Sequence, residues 1–111
     1  MKKIIAALLM VPCMAHAEFF TGNMLLTRMQ SKDYMDQMQA LGYVMGVFDA
    51  SNLIDHCGGN RHTITGGQAM DVARQYIENN PSVRDSAADL LVRVAFKKAW
   101  PCPKTNNGKG V

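Results

Sequence analysis

The stretch TITGGQAMDVARQYIENNP, from Thr63 to Pro81, decides the helical character of this chain. Thr65 and Gln68 have the spacing of a capping box, in which each side chain bonds the backbone N–H of the other at the start of a helix. The Asn-Asn-Pro sequence at its end closes that helix, and proline suits the first turn of the next one. The apolar residues between these signals recur at helical spacing: Ala69, Met70, Val72, Ala73, Tyr76 and Ile77.

Working outward, the remaining regular segments are also predicted to be helices. Thr21 caps a short helix over residues 23–29, and Ser31 caps a longer one with the inward stripe Tyr34, Met38, Leu41, Met45 and Phe48. The last helix runs from Ser86 to Ala99 and buries Ala87, Leu90, Leu91, Val94 and Ala95. Because no segment alternates like a strand, the prediction is an all-α, small single-domain bundle of four to five helices.

Two glycines on the longer helix indicate a close approach of another backbone. Gly42 and Gly46 lie one turn apart, and together they leave a flat strip without side chains. The strip is explained equally well by a crossing with another helix of the same chain and by an interface between two subunits.

The first 17 residues, MKKIIAALLMVPCMAHA, have the layout of a cleavable signal peptide. Lys2 and Lys3 precede an apolar run, and residues 15–17 form an A-x-A cleavage site. The apolar run is shorter than the roughly 20 residues that a membrane-spanning helix needs. We therefore expect export and cleavage after Ala17, with a domain over residues 18–102 and a disordered tail over residues 103–111.

Charge and hydropathy exclude two classes of partner. The net charge is +3, and the two lysines of the signal peptide supply two of those units. The mature chain has neither a basic block nor aromatic residues interleaved with cations, so nucleic acid is not an expected partner. It also has no second apolar stretch of membrane length, so no membrane association is expected after cleavage.

The stretch DHCGGNRHT, from Asp55 to Thr63, places a cysteine between two histidines. Cleavage of the signal peptide leaves Cys57 and Cys102 as the cysteines of an exported domain, where thiols are oxidised, and this favours a disulfide. A nucleophilic Cys57 with His56 as its base is the less favoured alternative, since adjacent side chains usually point apart. A zinc site that combines these residues with His62 lacks the usual ligand spacing. No metal or other cofactor is expected.

The order of the motifs resembles the Tai-type immunity proteins of the Rap/Tai group. The resemblance rests on FFTGNMLL from Phe19, LGYVMGVFDA from Leu41, the cysteine-bearing loop, the stretch from Thr63, and a terminal AWPC. It covers roughly residues 19–102. Many members have two further cysteines where this chain has Met29 and Ala40. Because both are absent together, the remaining pair is again Cys57 with Cys102.

The resemblance implies a periplasmic, non-catalytic protein that protects bacteria from their own type VI secreted amidases. Such enzymes resemble papain-type cysteine peptidases and cleave the D-glutamyl–diaminopimelate bond of peptidoglycan peptides. The family mode of inhibition is occlusion of the catalytic cleft by a protruding loop, and family members form homodimers. The same features are therefore expected of this chain.

The loop predicted to enter the cleft is the glycine-rich segment around Cys57. Its expected contact residues are Asp55, His56, Gly58, Gly59, Asn60, Arg61 and His62. A neighbouring disulfide holds the base of such a loop and lowers the ordering cost of binding. The alternative from another class is a small periplasmic acid-stress chaperone that is also helical and held by one disulfide. An enzymatic role is the third possibility.

Overall fold

A computed structural model describes residues 19–61 and 63–104 of the chain, and for residues 60 and 61 it describes the backbone only. The predicted signal peptide and most of the predicted tail therefore lie outside the described residues. The helices are α1 (Gly22–Gln30), α2 (Tyr34–Ser51), α3 (Gly58–Arg61), α4 (Gly66–Asn79) and α5 (Ala88–Ala99), with a 3-10 turn at Pro81–Val83. The described residues contain no strand, which confirms the all-α prediction.

The helix caps follow local chemistry, with one correction. Thr21 accepts a hydrogen bond from the Met24 amide at the start of α1, as predicted. The prediction that Ser31 caps α2 is wrong. Asp33 is the cap and accepts from the Met35 amide. Ser31 is instead the C-cap of α1, where its backbone amide donates to the Arg28 carbonyl, and its hydroxyl accepts from the Asp33 amide.

The predicted inward stripe of α2 is also wrong in its first half. Tyr34 and Met38 are exposed, whereas Ala40, Val44, Phe48 and Ser51 are buried. This helix has more apolar residues than one face can bury, so periodicity alone allows more than one stripe. The small side chains of Ala40 and Val44 allow α2 to pack against α1, α4 and α5 at once.

The second half of the bundle is formed by α4 and α5. Thr65 caps α4 by accepting from the Gln68 amide, and Ala69, Ala73 and Ile77 are buried, as predicted. The structure starts α5 at Ala88, two residues after the predicted Ser86. Its buried face is Ala88, Leu91, Val92, Ala95 and Phe96, and the predicted core residue Leu90 is exposed. The buried face of α5 therefore differs from the predicted one, and it includes Phe96, whose ring is fully buried in the core.

The bundle is closed where α1 meets the segment that precedes α5. The Gly22 amide donates to the Ser86 carbonyl at 3.0 Å, and the Ala88 amide donates to the Phe20 carbonyl at 2.7 Å. A Cβ atom at Gly22 would lie 2.8 Å from the Arg84 carbonyl oxygen, so only glycine allows this approach. Among the residues that the structure describes, no helix has both the length and the apolar content needed to span a membrane.

Candidate functional site

The candidate site is the connection between α2 and α4, residues 52–65, which we call the anchored loop. A disulfide joins Cys57 in this loop to Cys102, 45 residues further along, with a Cα–Cα distance of 4.8 Å. This confirms the predicted pairing. The Cys57 amide also donates to the Trp100 carbonyl at 2.9 Å, beside the disulfide. The loop is thereby fixed to the end of α5.

His56 lies inside the protein, although the sequence predicted it as a contact residue. It is fully buried among Phe48, Phe96 and Trp100, with its ring centroid 4.6 Å from that of Phe48. Its Nδ1 accepts from the Gly58 amide at 3.1 Å, and its Nε2 lies 3.1 Å from the Phe48 carbonyl oxygen. The hydrogen therefore resides on Nε2, which donates to that carbonyl. His56 supports the loop from beneath, where no partner can reach it.

The glycine-rich segment of the loop contains regular structure, because Gly58 opens the single-turn helix α3. Gly58 is buried, and an added Cβ would lie 2.8 Å from the Ile64 side chain and 3.2 Å from Trp100. Gly58 is therefore a packing residue, and it leaves the predicted contact set together with His56. Gly59 is exposed, and its amide donates to Asn52 Oδ1 at 3.2 Å.

Three further predicted contact residues follow Gly59. The backbone of Asn60 and Arg61 completes α3, and His62 lies outside the described residues. Their role in binding stays a prediction. The backbone around them is nevertheless held on both sides, by the disulfide at Cys57 and by the helix cap at Thr65.

Asp55 is tied to α5 by an ion pair. Arg93 Nε donates to Asp55 Oδ2 at 2.7 Å, and the carboxylate is only partly exposed. The hydrogen bond from Arg93 lowers the pKa of Asp55, and the positive charges of Arg93 and Lys97 act in the same direction. Asp55 thus remains an acceptor at neutral pH and holds the guanidinium of Arg93 in place.

Two residues of the anchored loop were missed by the sequence analysis. Leu53 is 60% exposed and Ile54 is 76% exposed, although both are large and aliphatic. Leu53 has a φ of 68°, a left-handed conformation that costs a non-glycine residue about 1–2 kcal/mol. The turn is held by the Leu53 amide, which donates to the His56 carbonyl at 2.7 Å, and by the Asp55 amide, which donates to Ser51. The sequence signal that could have identified these two residues is the pair of consecutive aliphatic side chains between polar Asn52 and Asp55.

The glycine strip of α2 lies on the side opposite the core. Gly42 and Gly46 are both exposed, and a Cβ added at either position would have no atom of the described residues within 4 Å apart from its chain neighbours and the nearby backbone of α2. Within residues 19–61 and 63–104, no helix crosses this strip, so the explanation by an internal helix crossing is wrong for that part of the chain. The alternative, an interface between subunits, stays a prediction.

The disulfide decides between the two roles predicted for Cys57, a nucleophile and a disulfide partner. In the disulfide its sulfur has no proton to lose, so the nucleophile with His56 as base is not formed. Within residues 19–61 and 63–104, no three or more histidine, cysteine, aspartate or glutamate side chains are grouped so as to hold a metal ion.

The fold and the site together define a class of small, single-domain helical proteins in which a disulfide fixes a surface loop to the last helix. A family model described as Rap1a immunity proteins matches residues 21–102, which is most of the chain and includes both cysteines of the disulfide. The chain belongs to the family of Rap1a immunity proteins. Membership implies that it binds a cognate effector. A comparison with curated proteins finds no match.

Proposed function

We propose that this chain is a periplasmic immunity protein that binds a type VI secreted peptidoglycan amidase and occludes its active-site cleft. The target bond would be the D-glutamyl–diaminopimelate link of peptidoglycan peptides. The role is binding rather than catalysis. The anchored loop is the observation that carries this proposal, since it combines a base that the disulfide fixes with the exposed residues Leu53, Ile54 and Gly59.

The energetics of the loop support binding by a preformed surface. Its base is fixed by the disulfide, by the two hydrogen bonds of His56, and by the ion pair of Asp55 with Arg93. A loop that is already ordered loses little conformational entropy when a partner binds, so more of the contact energy remains as affinity. Family membership also favours this role over that of an acid-stress chaperone.

Arg61 is the residue that we expect to dominate the contact of the loop with the cleft. Its planar guanidinium can pair with carbonyl or carboxylate groups that line a peptide-binding cleft. We expect Arg61→Ala to weaken binding to the amidase by roughly 1–3 kcal/mol, which is about fivefold to 150-fold in Kd. Isothermal titration of the mature chain with the purified D-glutamyl–diaminopimelate amidase of the same bacterium measures this effect.

Arg74→Ala is the matched control, because Arg74 is an exposed arginine on α4 that pairs with Asp71 and Glu78. Its affinity should stay within about twofold of the parent chain, and circular dichroism should show the same helical content for both variants. Wild-type affinity in Arg61→Ala would move the inhibitory contact to another surface. Failure of the parent chain to bind the amidase would refute the proposed function itself.

We also propose that the glycine strip of α2 joins two copies of the chain into a homodimer. Gly42 and Gly46 are exposed, and Met35 and Met38 at the same side of the helix are exposed as well. Two glycines without side chains allow two helix backbones to approach closely, and methionine adapts readily to an irregular contact.

The Gly46→Leu variant tests the proposed dimer interface while leaving the fold of the monomer unchanged. Because a Cβ added at this position would meet no atom of the described residues outside the neighbouring part of α2, the monomer has space for a side chain there. Exchange of an exposed helical glycine for leucine should raise the free energy of unfolding by up to about 0.8 kcal/mol. Light scattering should show that the mass falls from dimer to monomer. A parent chain that is monomeric at high concentration, or a variant that still forms the dimer, would contradict this interface.

A further inference from the structure

A groove with a volume of about 300 Å³ lies where the end of α1, the first half of α2 and the first half of α4 meet. Three of the residues that line it are methionines, one from each of these helices: Met29, Met38 and Met70. The other lining residues are Gln37, Leu41, Gly67, Asp71 and Arg74. The fold thus brings three methionines that are distant in the sequence to one groove, which we call the methionine groove.

The three methionines stand at the surface rather than inside the core. Met38 is 42% exposed, whereas Met29 and Met70 are half-buried and pack against the core from its edge. The fully buried positions of the neighbouring helices are occupied by smaller residues such as Ala40 and Ala69. Leucine packs against a core as well as methionine does. Packing alone therefore does not account for three sulfur-containing side chains at this place.

The charged and amide side chains of the methionine groove are engaged within the chain. Arg74 donates to the Asp71 carboxylate at 3.0 Å and lies 3.8 Å from the carboxylate of Glu78. Gln37 Nε2 donates to the Ser31 carbonyl at 2.7 Å. The two charges that line the groove thus pair with each other and sum to zero. Magnesium and calcium ions bind about six or more oxygen ligands, so one carboxylate that is already paired with arginine does not provide a site for them.

Thioether sulfur is the ligand that the groove offers in excess. It is a soft, polarisable ligand, and soft sulfur ligands select Cu(I) among the metal ions. Three rotatable bonds allow each methionine to adjust the position of its sulfur to an ion. Within residues 19–61 and 63–104, histidine, cysteine and carboxylate side chains are not grouped so as to hold a metal. The methionines are therefore the soft ligands that the described part of the fold assembles.

We propose that the methionine groove binds one Cu(I) ion per chain through the sulfurs of Met29, Met38 and Met70. The three ligands come from three helices of the bundle, so the site exists only in the folded chain. None of the residues that line the groove belongs to the anchored loop. The site goes beyond the proposed binding of an amidase, and neither proposal depends on the other.

Met70→Leu tests the site, because leucine keeps the apolar bulk of the side chain and removes the sulfur. Cu(I), kept reduced with ascorbate in the absence of oxygen, is titrated into the mature chain in competition with the chromophoric chelator bicinchoninate. Loss of a ligand should weaken Cu(I) binding by about tenfold or more. The triple variant Met29→Leu, Met38→Leu and Met70→Leu should lose binding altogether.

Met24→Leu is the matched control, because Met24 is a 37% exposed methionine of α1 that does not line the groove. Its Kd for Cu(I) should change by less than about twofold, and circular dichroism should show the same helical content for every variant. A parent chain that does not compete with the chelator for Cu(I) would overturn the inference. So would a triple variant that binds Cu(I) as tightly as the parent.

The pH dependence of binding identifies the ligand type. A thioether has no proton to lose, so the Kd should change by less than about threefold between pH 7.5 and 5.5, after correction for protonation of the chelator. A histidine ligand becomes protonated over this range, and a loss of affinity of about tenfold towards pH 5.5 would place the ion on histidine and overturn the inference.

The choice of metal and the stoichiometry complete the test. Zn²⁺ prefers thiolate, imidazole and carboxylate ligands, so it should not displace Cu(I) from the parent chain. Displacement by an equal concentration of Zn²⁺ would contradict a site made of thioethers. The titration should end at one Cu(I) per chain, whereas an end point at half an ion per chain would show that two copies share the ion, and would also overturn the inference.

Discussion

Replacement of Cys102 by serine is expected to lower the free energy of unfolding by about 2–5 kcal/mol. The disulfide closes a segment in which the paired residues are 45 positions apart, and its removal restores the conformational freedom of that segment in the unfolded chain. For a domain of this size the melting temperature should fall by roughly 10–30 °C. Thermal and urea unfolding of the mature chain measure both quantities.

The double variant Cys57→Ser with Cys102→Ser controls for the free thiol that the single change leaves behind. Both variants lose the same covalent bond, so their free energies of unfolding should agree within about 0.5 kcal/mol. Amidase binding should weaken in both, because the base of the anchored loop is no longer joined to the end of α5. A loss of stability below about 1 kcal/mol would mean that hydrogen bonds and packing alone hold the loop.

The second large effect is expected for His56→Ala, at about 3–5 kcal/mol of unfolding free energy. The change leaves a cavity among Phe48, Phe96 and Trp100. It also removes the acceptor of the buried Gly58 amide. The Phe48 carbonyl keeps a hydrogen bond in the variant, because the Asn52 amide also donates to it, at 3.0 Å. Urea unfolding monitored by circular dichroism measures the loss.

Ile54→Ala is the matched control, since it truncates a large side chain of the same loop that is exposed. Its stability should remain within about 0.5 kcal/mol of the parent. A His56→Ala variant with parental stability and reduced affinity would return His56 to the contact set and contradict its supporting role.

The helices were predictable because their signals are local. The threonine caps at Thr21 and Thr65 and the stop before Pro81 depend on residues within one turn, and the structure confirms them. The orientation of α2 and α5 was less predictable, because both have apolar residues on more than one face. The face that is buried depends on the neighbouring helices, which sequence spacing does not specify.

Of the predicted site, the disulfide between Cys57 and Cys102 is confirmed, whereas the role of the loop in binding stays a prediction. Compartment and cysteine count predict the disulfide, since they depend on chemistry rather than geometry. His56 is buried by three aromatic residues that come from two helices distant in the sequence. No local sequence pattern therefore predicts its burial. The same holds for Asp55 and Arg93, which are 38 residues apart and become neighbours only because α5 packs against α2.

The position of the disulfide has a consequence for proteolysis. Residues 58–101, which include α3, α4 and α5, lie within a covalent ring closed by Cys57 and Cys102. A protease that cuts once within this ring leaves both fragments attached, whereas a cut within α1 or α2 releases an unattached piece. A protein that has been cut once within the ring would migrate as one band on a non-reducing gel and as two bands after reduction of the disulfide. A single cleavage within residues 58–101, which include most of the anchored loop, therefore cannot detach that part of the chain from the rest.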